Sequence, residues 1–125
     1  MIRFLISIML LFSFQSKTSL PTVEINSVSM DILTFARVDC SRFEDAFEKK
    51  EMKKTTVKGK AKIDELISEL GKLKIQDRKN ATDTRATITL TYSDHTERIC
   101  ADKFSICTNG TCYEITDKLK ELIWK

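Results

Sequence analysis

Four cysteines, and the turn between two of them, constrain this chain most. Cys40, Cys100, Cys107 and Cys112 are an even set in a chain of 125 residues. An even set in so small a protein reads as a disulfide framework. The segment Cys107-Thr108-Asn109-Gly110-Thr111-Cys112 places Asn-Gly between β-prone flanks. Both residues accept the positive φ of a type I′ turn, so the pair predicts a two-residue hairpin. In that hairpin Thr108 faces Thr111 and closes the turn, and Cys107 faces Cys112 as a non-hydrogen-bonded pair. The Cα atoms of such a pair stand ~4.5 Å apart, at the short end of disulfide range. Cys40 is then left to pair with Cys100. The competing reading is a four-thiolate metal site, but the spacing C-x6-C-x4-C lacks the two close C-x2-C knuckles of structural zinc. A redox dithiol is generally C-x-x-C at a helix N-terminus, where the thiol pKa is lowered; here the spacing is C-x4-C on a hairpin. No metal and no cofactor is expected.

Disulfides need an oxidising compartment, and the N-terminus carries a matching address. Arg3 is followed by the uncharged apolar run Phe4 to Phe14, then by Gln15, Ser16, Lys17, Thr18 and Ser19. That order is a secretory signal peptide. The run is about half the ~20 residues a bilayer span requires. Small residues at −3 and −1 place cleavage after Thr18, so residues 1–18 are the signal and 19–125 are one small domain. No cysteine lies near the cut, which argues against a lipoprotein anchor. No second apolar run approaches membrane length, so no transmembrane span is expected after cleavage. The expected location is secreted or periplasmic.

The remaining chain reads as α+β. Pro21 to Val38 is β-prone (Val23, Ile25, Val28, Ile32, Leu33, Phe35, Val38), with Ser29-Met30-Asp31 as a turn between two strands. Phe43 and Phe47 suggest one short helical turn, and Lys53 to Lys58 a short edge strand ended by Gly59. Ile63, Leu66, Ile67, Leu70 and Leu73 form one apolar stripe at helical period, predicting one long amphipathic helix over Lys60 to Lys74. Ala86 to Ser93 alternates apolar residues with threonines, the mark of a half-buried antiparallel strand. A two-residue turn at Asp94-His95 sets Ile99 opposite Leu90, Ala101 opposite Ile88, and Cys100 opposite Thr89. The last hairpin puts Phe104, Ile106, Tyr113 and Ile115 on one face. Thr116 is a suitable N-cap for a short C-terminal helix carrying Leu119, Leu122 and Ile123. The expected architecture is a mostly antiparallel sheet, the long helix on one face and a threonine-rich face opposite.

Function is less legible. The formal net charge of +3 is too small for a dedicated nucleic-acid binder. His95 beside Asp94 lacks a nucleophile, and turn neighbours are usually both solvated, so no enzyme is expected. Asn80-Ala81-Thr82 and Asn109-Gly110-Thr111 match the N-glycosylation pattern, although the turn alone explains Asn109. Residues 48–62 hold seven lysines (Lys49, Lys50, Lys53, Lys54, Lys58, Lys60 and Lys62) against two acids. Such a run meets an anionic surface or, more commonly, is a solvated face guarding a sheet edge. The sequence therefore points to a small exported non-enzymatic domain that binds a protein or a glycan, as inhibitors and accessory subunits do. The alternative is an envelope-associated structural protein held on anionic surfaces by the lysine run.

Overall fold

A computed structural model describes residues 20–76 and 82–125. The expected signal peptide and the acceptor Asn80 lie outside the described residues. The fold is α+β, built on one six-stranded antiparallel sheet. The strands are β1 (Thr22–Ser27), β2 (Lys53–Val57), β3 (Ala86–Thr91), β4 (Thr96–Ala101), β5 (Ser105–Thr108) and β6 (Thr111–Glu114). They lie in the order β2-β1-β3-β4-β5-β6. The helices are α1 (Phe43–Ala46), α2 (Lys60–Leu70) and α3 (Asp117–Trp124).

The apolar half of each alternation makes one buried face. Val23 sits opposite Leu90, Ile25 opposite Ile88, and Ile88 opposite Ile99. Helices α2 and α3 cover this face with Leu66, Leu119 and Ile123, while Ile63, Leu70 and Leu73 pack at its margin. Thr116 Oγ accepts the Leu119 amide at 3.2 Å and caps α3 as expected. Trp124 Nε1 donates to the Val28 carbonyl at 2.9 Å, fastening the end of α3 to the end of β1.

The opposite face carries Thr87, Cys100 and Arg98, and the segment before β2 folds over it. Cys40 is bonded to Cys100, with Cα atoms 5.7 Å apart. Arg98 makes two 2.8 Å bonds to the Glu44 carboxylate and one of 2.6 Å to the Cys40 carbonyl. These ties bring in a second small core of Val28, Val38 and Phe43, flanked by Ile32, Phe47 and Met52. The second disulfide, Cys107–Cys112, spans the last hairpin with Cα atoms 4.1 Å apart. Asn109 at φ 50° and Gly110 at φ 78° make its turn in the positive-φ conformation that the sequence implied.

Four local expectations are corrected. The amphipathic helix is not long: α2 ends at Leu70, where the Gly71 amide bonds the Ile67 carbonyl at 3.0 Å. Leu73 still packs on the core, but the chain beyond it runs extended along β6. There the Glu114 amide reaches the Lys74 carbonyl at 2.9 Å and the Gln76 amide reaches the Cys112 carbonyl at 3.0 Å. Pairing with a sheet edge displaces the last helical turn.

No strand forms between Ile32 and Val38, because β1 is already paired on both sides, by β2 and β3. The β3–β4 connection has four residues, not two: Thr91 pairs Thr96, and Tyr92 N–H bonds the His95 carbonyl at 2.8 Å. Cys100 therefore sits opposite Thr87, Ile99 opposite Ile88, and Ala101 opposite Ala86. A slip of two residues keeps every side chain on its face, so the core is unaffected. Phe104 does not share the inner face; it is 69% exposed. Asp102 Oδ1 instead accepts the Phe104 and Ser105 amides, both at 2.7 Å, and turns the chain before β5 begins.

Candidate protein-binding loop

Residues 28–38 leave β1 and return across the threonine side as a loop pinned at both ends. The Val28 amide bonds the Arg85 carbonyl at 2.9 Å, and the Thr84 amide bonds the Val38 carbonyl at 2.9 Å. The Val38 amide donates to Asp83 Oδ1 at 2.8 Å. Between these points the backbone is held by one side chain. Arg85, only 5% exposed, donates Nε to the Ile32 carbonyl at 3.2 Å and Nη2 to Thr34 Oγ at 3.3 Å. Thr34 Oγ in turn donates to the Ala36 carbonyl at 2.7 Å.

The guanidinium itself is fully engaged. Asp83 takes Nη1 at 2.9 Å and Nη2 at 3.1 Å, and Nη1 also reaches the Thr84 carbonyl at 3.0 Å. The Phe47 ring lies 5.6 Å from the guanidinium carbon, in cation–π range. A buried arginine is tolerable only with such partners. Here its partners include the loop backbone, so the charge becomes the clasp of the loop.

The clasped loop presents apolar side chains to water. Leu33 is 93% exposed and Phe35 113%. Leaving such residues out of a core forgoes about 1.5–3 kcal/mol each. Scattered exposed apolar residues need no explanation, but these two flank Thr34, whose hydroxyl the clasp holds. Beside them lies a cleft of about 270 Å³ bounded by Thr34, Ala36, Arg37, Asp39, Arg42 and Asp45. Its charges are balanced, and Asp31 pairs with Lys103 at 3.3 Å. The surroundings of the tip therefore carry no excess of cations that would favour an anionic lipid surface.

The residues singled out from sequence are placed differently. All seven lysines of 48–62 are exposed. Lys49 and Lys50 lie on a single 3-10 turn. Lys53 and Lys54 are consecutive on β2, so they project from opposite faces. Lys60 opens α2, while Lys58 and Lys62 meet at a different cleft, with Lys125. His95 and Asp94 are exposed and bonded at 2.8 Å, which holds the Asp94 carboxyl below its ordinary range. The His95 ring stacks on Tyr92 at 4.6 Å. Among the described residues no group of three His, Cys, Asp or Glu is placed to hold a metal.

Sequence reading assigned Leu33 and Phe35 to a strand and passed over Arg85 and Asp83. The available signal was an arginine and an aspartate among threonines just before a clean strand. Comparison with protein-family models, curated proteins and solved structures finds no match.

Proposed function

We propose that this protein is an exported, non-enzymatic binding module that takes a protein partner on its Leu33–Phe35 loop, in the manner of an inhibitor or accessory subunit. The observation that carries the reading is the exposure of Leu33 and Phe35 on a loop fastened by the buried Arg85. An aromatic anchor entering a partner's pocket is the usual centre of a binding hot spot. A loop already held in place loses little conformational entropy on binding. Two disulfides suit a secreted or periplasmic setting, and no helix of the described residues is long and apolar enough to cross a membrane. A protein partner is favoured over a glycan because the projecting groups are apolar. An anionic surface has less support, since adjacent lysines on β2 face opposite ways.

The test is capture from the source organism's secreted or periplasmic fraction with wild type and with Leu33→Ser/Phe35→Ser. Both side chains are exposed, so the variant should melt with wild type. A partner recovered by wild type should be lost at least tenfold by the variant, as for hot-spot anchors. Equal recovery by both removes the loop from the interface and the reading with it.

A further inference from the structure

The two edges of the sheet are treated unequally. The β6 edge is closed by residues 74–76 of the same chain, with Ile75 bridged to Tyr113. Strand β2 pairs with β1 alone, and among the described residues no strand pairs with its outer side. We propose that this outer side of β2 is a second binding site, which takes an extended peptide alternating apolar and acidic residues by strand addition.

Three observations meet at that edge. The first is the open row of backbone donors and acceptors from Lys53 to Val57, the template that strand addition uses. The second is a cleft of about 370 Å³ alongside it, where Thr55 and Val57 of β2 approach Leu66 of α2 and Leu122 of α3. An added strand turns every second side chain to one face, so its alternate apolar residues fall to the cleft side. The third is charge. Lys58, Lys62 and Lys125 stand around the cleft with a single acidic side chain, Glu121, which is engaged by Lys125 at 3.4 Å. The added strand turns its acidic residues to the opposite face, where Lys54 of β2 stands beside Thr56, and the cationic rim of the cleft adds a favourable field across the edge.

The same charge argues against a second copy of this chain as the occupant. Two β2 strands paired antiparallel about Thr55 would set Lys54 opposite Thr56 and Lys58 opposite Met52, which brings Lys54 of each copy diagonal to Lys58 of the other on one face. Diagonal neighbours lie within reach of long side chains, so these like charges repel. The lysines thus repel self-pairing and select for an acidic strand.

The test uses the full chain labelled with ¹⁵N and a capped hexapeptide, Val-Glu-Val-Asp-Val-Glu, with Val-Lys-Val-Lys-Val-Lys as control. Two forms of the acidic peptide, N-methylated on alternate residues, complete the set. Alternate amides of an added strand point toward and away from its neighbour, so one methylated form should bind and the other should not. The acidic peptide should shift Thr55 and Thr56 amides and slow exchange of the outward-facing β2 amides at least tenfold. Lys54→Gln/Lys58→Gln should weaken it about fivefold, in line with exposed ion pairs. The basic peptide should not bind. The Leu33→Ser/Phe35→Ser variant should bind the acidic peptide as wild type does, which separates this site from the loop. Absence of β2 amide protection, or equal binding of both methylated forms, overturns strand addition. Sedimentation showing a dimer that buries β2 would assign the edge to self-association instead and equally overturn the proposal.

Discussion

Removing the Cys40–Cys100 bridge should cost about twice the stability that removing Cys107–Cys112 costs. The perturbations are the paired variants Cys40→Ala/Cys100→Ala and Cys107→Ala/Cys112→Ala, so neither leaves a lone thiol. The bridged residues are separated by 60 positions in the first case and by 5 in the second. Loops of those lengths restrain the unfolded chain by about 4 and about 2 kcal/mol respectively. The folded state adds to the difference. Without its bridge the last hairpin still has its Asn109-Gly110 turn and the Ile106–Tyr113 pair. Without the long bridge, the segment that brings Phe43 to the threonine face is held by Arg98, by the contact of Phe47 with Arg85 and by apolar packing. Urea unfolding of the two variants gives both midpoint and slope. In a domain near this size a gap of 2 kcal/mol is about 8 °C or more in melting temperature. A reduced slope confined to the Cys40/Cys100 variant would show less surface left to expose, because residues 40–52 have already come off the sheet. If the hairpin variant loses as much stability as the other, loop length is not what sets these bridges' worth and the reasoning fails.

Arg85→Met should destabilise the protein by about 3 kcal/mol, since Asp83 and the loop carbonyls lose their donor together, and should speed amide exchange at Val38. Hydrogen exchange with a thermal melt checks both. Arg98, hydrogen-bonded to Glu44, holds the Glu44 carboxyl below its ordinary value. The bond therefore contributes stability at pH above the unfolded value of ~4.3 and loses it as pH falls through the lower folded value. Glu44→Gln should remove that part of the acid-side decline, read as a smaller loss of melting temperature between pH 5 and pH 3; the lowered Asp94 carboxyl is common to both proteins and cancels. Thr87, wholly buried, and its cross-strand neighbour Asn26 each carry a side-chain oxygen with no hydrogen-bond partner among the described residues. Thr87→Val should raise stability by about 1 kcal/mol, and a lower melting temperature would mean that the hydroxyl is satisfied after all.

What could be read in the sequence was whatever is decided locally. The Ala86–Thr91 alternation, the Asn109-Gly110 turn, the Thr116 cap and the Lys53–Val57 edge strand each depend on a few neighbouring residues, and each forms. Both disulfides followed, because the turn fixed one pair and counting fixed the other. The errors arose where a distant element decides. Ile32 to Val38 is β-prone, yet no strand has a free side to receive it. Leu73 keeps the helical period, yet β6 takes the following backbone. Asp94-His95 suggested a tight turn, but without an Asn-Gly type signal nothing fixed the loop length, and the stacking of Tyr92 on His95 accompanies the longer one. The loop clasp was illegible for the same reason. Arg85 contacts the Ile32 carbonyl and Thr34 hydroxyl 53 and 51 positions away, and no local pattern announces a bond of that span.

The two faces of the sheet are held by different physics, and that difference bears on how the loop works. Under α2 and α3 the core is aliphatic, and burial there is non-directional; it fixes the sheet without fixing any one side chain's geometry. On the threonine face the ties are directional: a disulfide, the Arg98–Glu44 fork and the Arg85 clasp. Directional ties add less net stability than apolar burial because each polar group gives up water, but they impose one arrangement on the segment they hold. That segment ends in the loop bearing Leu33 and Phe35. Weakening the clasp should therefore leave a folded sheet with a slack loop. If binding falls in Arg85→Met while the β3 and β4 amides stay protected, rigidity of the loop is the property the threonine face supplies.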